Sequence, residues 1–561
     1  MNFSSKDKEQ IEAHGLSLDA IEQQLENFAK GFPATKAVDS AGINNGIEKL
    51  EEQAMKQYIE LFDRRTDYPE TAKFVPASGA ASRMFKDLYE FLEKYSPETG
   101  KLEDFPAAEQ TITHIGEFAF AQELYERLKE KNKTAFRKIL SANHFFETPF
   151  RCEDKTFYLQ LIETILNADG LNYGQGPKAL ILFHKYKDAV RTAMEEHLVE
   201  AAAYCRNKDG KASLHFTISP AHNDKVRCLL AKVLPYYEQT YNTKFDIKLS
   251  FQKSSTDTIA VQLDNTPARN EQGELIFRPA GHGALIENLQ ETNADIIYIK
   301  NIDNVETDDL KQGDVRYKKM LGGMLVALKR ETDTVLQLLQ ADKHNTETIA
   351  RAEELCKEKL HLHMQDRNNF ADNEQYADYL FERLNRPMRI CSMVRNEGQP
   401  GGGPFWVEDR DGEVSLQIVE KAQLNLEDET QNAIFQSSTH FNPVDIVCSI
   451  KDYKGDKFRL SDFIDHSAGF ISVKTQQSSK IKIQERPGLW NGAMAKWISI
   501  FVETPIEYFN PVKTLNDLLK PAQRLSTDMD IIVEHGIDME RYVMEAAKIF
   551  PFKSHEKQMR Q

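Results

Sequence analysis

Apolar residues recur at helical spacing through the first 70 positions, at Leu16, Leu18, Ile21, Leu25 and Phe28 and again at Ile47, Leu50, Met55, Tyr58, Ile59 and Phe62. Side chains three or four apart share one helix face, so this stretch reads as helices flanking a core. The pattern changes at Lys73-Phe74-Val75-Pro76-Ala77, an extended run that enters Ser78-Gly79-Ala80-Ala81-Ser82-Arg83 and then a helical stretch from Met84 to Tyr89. Helical spacing returns from about 105 to 170, at Phe118, Phe120, Leu124, Leu128, Tyr158, Leu161, Ile162 and Ile165. Short apolar runs follow at Ala179 to Phe183, Ala212 to Ile218, Phe245 to Phe251, Thr258 to Leu263 and Ile296 to Ile299, with helical stretches between them. Alternation of this kind predicts an α/β fold with a mostly parallel sheet. A second helical segment covers Val315 to Leu384. Strands resume at Met388 to Val394, near Phe405, at Val414 to Val419 and at Val444 to Ile450, and a short helix begins at Leu515.

Composition narrows the class without naming it. The 561 residues are 40% hydrophobic and 28% charged, the balance of a folded chain and not of a disordered one. A net charge of −16 argues against a surface that neutralises nucleic-acid phosphates, while leaving room for a local basic pocket. Met1 to Gln10 contains no apolar signal core, and no apolar run reaches the roughly 20 residues that span a bilayer, so the expectation is a cytoplasmic protein without membrane contact. The six cysteines form no C-x-x-C pair and read as buried thiols.

Four constellations can carry chemistry. The small-residue turn Ser78 to Arg83, between a strand and a helix, lets backbone amides approach phosphate oxygens, with Arg83 as a pairing cation; a plain strand-to-helix connection packed through Gly79 accounts for the same residues. Gly174-Gln175-Gly176-Pro177-Lys178 fixes a lysine ahead of an apolar run, where it acts either as a point charge on a phosphate or as a solvated side chain. In Pro279-Ala280-Gly281-His282-Gly283 two glycines bracket a histidine, suiting close approach to a ring or phosphate, or a simple helix entry. The strand Ile296 to Ile299 delivers Asn301, Asp303 and Asn304 at its carboxyl end, where open α/β sheets bind ligands; Asp303 is the candidate Mg²⁺ ligand, and an Asx turn is the plainer alternative. His361 and His363, two apart in a helical segment, do not share a face as metal ligands do. Pro400-Gly401-Gly402-Gly403-Pro404-Phe405-Trp406 suits a sugar or base, or a long hairpin turn.

In this order the motifs resemble those of the UDP-sugar pyrophosphorylases, and the whole chain looks like a bacterial family of unknown function in the same nucleotidyltransferase superfamily. Ser78 to Arg83 stands where those enzymes carry a Gly-Gly-x-Gly-Thr loop, and Gly176-Pro177-Lys178 resembles their Gly-Pro-Lys. Phe251-Gln252 resembles their base-reading Phe-x-Gln, Pro279 to Gly283 their Pro-x-Gly-His-Gly, Asn301-Ile302-Asp303-Asn304 their Asn-x-Asp-Asn, and Phe509 to Leu519 their Phe-x-Pro-Val-Lys-Thr-x-x-Asp-Leu-Leu. The resemblance implies a Rossmann-like nucleotidyltransferase core over 71–524, with helical insertions at about 87–172 and 315–385, an N-terminal helical segment over 1–70 and a C-terminal helical tail over 525–561. It implies transfer of a nucleotidyl group, uridylyl from UTP, to a sugar 1-phosphate with release of pyrophosphate and Mg²⁺ as cofactor. Arg83, Lys178 and Lys513 would contact phosphates and Asp303 the metal. Ser78, Gly79, Ala80, Ala81, Ser82, Gln252, Gly281, His282, Gly283, Asn301 and Asn304 would surround the nucleotide, with Glu420 and Asn442 on the sugar side. The alternative on the same fold is a catalytically inactive nucleotide-sugar-binding protein. Two departures accompany the resemblance: the loop is poorer in glycine, and about 95 residues separate Arg83 from Lys178.

Overall fold

The computed structural model describes residues 3–79, 81–131, 139–398, 401–476 and 479–524. Ala80, Pro400 and the tail expected over 525–561 lie outside the described residues. A ten-stranded sheet organises the rest. Its strands are β1 (Gly42–Ile43), β2 (Gly46–Glu48), β3 (Thr71–Pro76), β4 (Lys211–Thr217), β5 (Lys244–Ser250), β6 (Ile296–Lys300), β7 (Met388–Arg395), β8 (His440–Phe441), β9 (Asp445–Ser449) and β10 (Ile498–Glu503). They lie in the order β1-β2-β10-β7-β9-β6-β3-β4-β5, with β8 paired to β7. All neighbours along that order are parallel except β9, which runs antiparallel to both β7 and β6. The chain thus has the mostly parallel mixed α/β architecture that the alternation predicts. β3, β6 and β7 are buried along nearly their whole length and do not alternate between buried and exposed positions, as strands covered on both faces do.

The helices that matter below are α1 (Ser5–Ala13), α2 (Leu18–Lys30), α3 (Glu52–Arg64), α4 (Lys86–Lys94), α5 (Pro106–Thr113), α6 (Ala193–Tyr204) and α7 (Asp308–Ala341). The connection from β6 to β7 begins with α7, which buries Leu321, Met324, Leu325 and Leu328 in the main core. Its Asp308 and Asp309 complement the positive end of the helix dipole. Gly323 allows α3 to cross in close contact, because a Cβ there would collide with the Tyr58 carbonyl. Among the described residues no helix is long and apolar enough to cross a membrane. Cys205, Cys356, Cys391 and Cys448 are buried thiols, whereas Cys228 is exposed and Cys152 half-buried.

Some local expectations differ from the structure. Between α2 and α3 the chain is extended and not helical: Lys36–Ser40 pairs antiparallel with Gly403–Glu408, and Ile47 sits on β2. Distant partners supply that pairing, and local periodicity does not register them. The run from Ala179 opens as a single 3₁₀ turn, Lys178–Leu180, and its strand Leu182–Lys185 forms a hairpin with Val190–Thr192 outside the central sheet. Thr258–Ile259 likewise pairs with Phe277–Arg278, away from the sheet.

A buried ionic array lies between the sheet and its covering helices. Lys73 on β3 and Lys300 on β6 both bond Glu200 of α6, and Lys300 also bonds Asp314 of α7 at 2.9 Å. Lys318 pairs with Asp314 at 2.7 Å and with Asp445 at the start of β9. Glu200, Glu306 and Asp314 bring carboxylate oxygens close enough to suggest a cation site, but the Lys300 ammonium already bridges two of the three. Glu306 is fully buried with no hydrogen-bond partner at either oxygen, and burial together with the Asp314 charge pushes its acid well above the usual range. With a raised folded value, its contribution to stability is fully present below the ordinary glutamate range and is lost as pH climbs through the raised one. Glu306→Gln, which mimics the neutral acid, is expected to exceed the wild type by about 1–3 kcal/mol at pH 8, with the gap closing toward pH 4. Urea unfolding at the two pH values measures this, and equal stability at pH 8 would contradict it.

Candidate active site

One edge of the sheet gathers the candidate residues. The carboxyl ends of β3, β4, β5, β6, β7 and β10 and the amino end of the antiparallel β9 all face the same way, and the loops that leave them hold Ser78 to Arg83, Gln252, Asn301 to Asn304, Asn442 and Phe509 to Lys513. Ligands of open α/β sheets sit at this edge because helix amino termini and irregular backbone converge there.

β3 and β6 are neighbours, so their loops meet. The Ile302 amide donates to the Pro76 carbonyl at 3.4 Å, and the Ala81 amide donates to the Gly176 carbonyl at 3.4 Å, which joins the small-residue turn to the Gly-Pro-Lys turn. From there Lys178 Nζ donates to Asp303 Oδ2 at 3.0 Å and to the Val512 carbonyl at 2.9 Å, and Lys513 Nζ donates to the same Asp303 oxygen at 2.9 Å. The backbone sets this convergence. The Val512 amide donates to the Asp303 carbonyl at 3.0 Å, and Asn304 Oδ1 accepts from the Asn510 amide at 3.1 Å. Asp517 Oδ2 accepts from the Lys513 and Thr514 amides and holds the second loop in place.

Burial pushes the Asp303 acid up, but the Lys178 and Lys513 ammoniums pull it further down, so it stays ionised. Its other oxygen, Oδ1, is buried with no partner. That atom is the test of the Mg²⁺ expectation, and the fit is good: one free carboxylate oxygen suits an ion that keeps most of its waters and takes its remaining ligands from substrate phosphates. Arg83 and Ser82 are exposed and, with Lys86 and Tyr89, line an open cavity of about 430 Å³. Ser78 is half-buried, Ala81 is buried and Gly79 is exposed with open space beside it. Gln252, just past β5, donates to Asp257 at 3.4 Å, and Asn301 is half-buried in the turn that Asn304 closes.

A second grouping forms around His282. Gly281 takes φ +77°, and a Cβ on Gly283 would collide with the Pro487 carbonyl, so the glycines seat the histidine against the segment Pro487–Gly492. His282 Nδ1 accepts from the Leu489 amide at 3.0 Å, which leaves the proton of the neutral ring on Nε2, 3.7 Å from Glu420 Oε1. The imidazole stacks on Trp490 with ring centres 4.2 Å apart. Attraction to His282, with a bond from Asn491 Nδ2 at 2.9 Å, holds the Glu420 carboxyl below its ordinary range against the effect of burial. Asn442 joins through Gly402, whose carbonyl accepts from the Asn442 amide at 2.8 Å. His361 pairs with Glu48 and His363 packs on Trp406, so neither belongs to either grouping.

Trp490 and Asn491 are the residues the sequence reading missed. They lie in a loop without periodicity, and Asn491 meets its partner Glu420 from 71 positions away.

The model of the family described as a domain of unknown function, DUF4301, matches residues 4–524. The chain belongs to that family. No curated protein matches it. Among solved structures it is similar to a mutant UDP-glucose pyrophosphorylase of Leishmania major in complex with UDP-glucose, at 12% identity over 94% of this chain and 80% of that one, with a TM-score of 0.41. A Trypanosoma brucei UDP-glucose phosphorylase gives 13% identity over 92% and 80%, again at 0.41. The open and closed Leishmania major pyrophosphorylase gives 13% over 94% and 80%, also at 0.41. Likeness at this level bears on neither substrate nor activity.

Proposed function

We propose that this DUF4301 chain is a sugar-1-phosphate nucleotidyltransferase, with UTP as nucleotide donor. The observation that carries the reading is the convergence of Lys178 and Lys513 on one oxygen of the buried Asp303, at the carboxyl edge of a mostly parallel sheet. Two ammoniums held on a carboxylate are poised to change partners when phosphates arrive. The ordered motifs around them support the same conclusion.

In the proposed reaction a phosphate oxygen of the sugar 1-phosphate attacks the α-phosphorus in line. One P–O bond forms, the bond to the β-phosphate bridging oxygen breaks, and pyrophosphate leaves with the electron pair. The chain's contribution is positioning and charge. Lys178, half-sheltered and bonded to the Val512 carbonyl, is the fixed cation; Lys513, more exposed, is able to follow the departing group. Asp303 Oδ1 would hold Mg²⁺, which when bound neutralises phosphate charge. His282 and its glycines are assigned to the base and sugar, Gln252 to the base.

A matrix of nucleoside triphosphates against sugar 1-phosphates with Mg²⁺, scored by pyrophosphate release, tests the reading. Release with UTP and a hexose 1-phosphate is the expected result. Release only with another pair would keep the class and replace the substrate. Binding without release from any pair would overturn the enzymatic reading in favour of a nucleotide-sugar binder.

A further inference from the structure

The segment Pro487–Gly492 belongs to none of the motifs behind the proposed function, yet it supplies the most sharply defined polar feature of the second grouping. Asn491 and Asn442 are both buried, and each has one end of its amide spoken for. Asn491 Nδ2 donates to Glu420 Oε1 at 2.9 Å, and Asn442 Oδ1 accepts from the Val444 amide. These bonds fix which way each amide points. What remains is one acceptor, Asn491 Oδ1, and one donor, Asn442 Nδ2, both buried and both without a partner. Gly402 lies between the two residues: a Cβ built on it would be 3.7 Å from Asn491 Oδ1, and its carbonyl holds the Asn442 amide.

Unpaired buried polar atoms are costly and uncommon, and a matched pair of opposite polarity is a demand for a group that both donates and accepts. A hydroxyl is such a group. Ring hydroxyls of a pyranose satisfy both atoms, whereas a phosphate, which only accepts, satisfies one. The surroundings hold the pair rigidly. Arg389, itself buried on β7, donates to the Trp490 carbonyl at 2.6 Å, and Trp490 is stacked on His282, so the turn bearing Asn491 is fixed before any ligand enters.

We infer that Asn491 is a specificity-determining residue which, with Asn442, reads the ring hydroxyls of the hexose acceptor. The inference rests on the proposed transferase reading for the identity of the ligand. It extends that reading by assigning the choice among hexoses to a turn outside the phosphate-handling loops.

The test is calorimetric titration of the full chain with hexose 1-phosphates and UDP-hexoses and with their monodeoxy analogues. Asn491→Ala is expected to weaken the preferred hexose ligand by about 10- to 100-fold. One monodeoxy analogue should bind the wild type that much more weakly than its parent, yet bind the variant no more weakly than its parent, a coupling that a purely structural role does not produce. Asn442→Asp, close to isosteric, keeps the bond from Val444 and puts a carboxylate oxygen in place of the donor; it should lose affinity in the same way, and a thermal melt of each variant controls for misfolding. Equal affinity of wild type and both variants would overturn the inference and leave the pair as a water-bridged contact, with pyrophosphate release still able to uphold the transferase reading. Failure of the wild type to bind any hexose phosphate would overturn the inference too, and nucleotide binding measured alongside reports separately on the phosphate site.

Discussion

Asp303→Asn is expected to lower kcat for pyrophosphate release by about 10²–10³-fold, with the substrate pair that turns over fastest, while KM for the sugar phosphate changes little. The carboxylate does two things that an amide of the same shape cannot do together. It gathers Lys178 and Lys513 on Oδ2 by charge, and it presents Oδ1, a buried acceptor without a protein partner. If the amide oxygen keeps the lysines, the amide nitrogen takes the place of Oδ1 and puts a donor where a cation would sit. If it turns over, the lysines face the donor instead. Because the ammoniums hold its acid below the ordinary range, Asp303 contributes stability above that range and loses it only as pH falls through the lowered value, so the neutral-pH assay sees it ionised throughout. Steady-state rates with a thermal melt as control decide the matter. A kcat within tenfold of wild type, in a protein that melts normally, would remove Asp303 from the proposed role.

Why these residues were legible, and others not, follows from where they sit. Lys178, Asp303 and Lys513 lie in turns at the ends of apolar runs, and such turns carry compact motifs that survive reading in one dimension. β5 and β6 were legible for related reasons: Ile296 to Ile299 are apolar over consecutive positions, as in a strand covered on both faces, and Phe245, Ile247 and Leu249 alternate with polar residues at the period of a strand. Lys36–Ser40 was not, because its register with Gly403–Glu408 is set across several hundred positions and its own residues are half polar. Asn491 shows the same limit at the site, since its meaning depends on Glu420 and Gly402, which only folding brings near. The buried array was partly visible. Glu196 and Glu200 stand at i, i+4 on α6, and Lys73 interrupts an apolar strand, but charge at such positions reads as solvent-facing until the helix above is known to cover it.

That array sets up the largest stability effect expected of this chain: Glu200→Gln should cost about 3–5 kcal/mol. Glu200 is fully buried and accepts from Lys73, from Lys300 at 3.2 Å and from Tyr204 at 3.1 Å. Burial opposes its charge, but the Lys300 and Lys73 ammoniums outweigh burial and hold the acid well below the glutamate range. Its contribution is therefore present above that range and is lost as pH falls through the lowered value, so the gap between wild type and variant should narrow in acid. Glutamine preserves volume, which makes the loss electrostatic and not a cavity effect. Lys73 then lacks a counter-charge in the core, while Lys300 keeps Asp314. Pairing Glu200→Met with Lys73→Met should recover most of the loss, since a buried ion pair replaced by apolar groups of similar size is often near neutral. Urea midpoints of the wild type, Glu200→Gln and the double variant measure both steps, and a cost below about 1 kcal/mol for Glu200→Gln would refute the argument. The consequence reaches the active site. Lys73 and Lys300 tie β3 and β6 to α6, and the loops of Ser78 to Arg83 and Asn301 to Asn304 leave those two strands. The charges buried beneath the sheet thus help fix the end of β6, beyond which Lys178 and Lys513 converge on Asp303, and the end of β3 beside it.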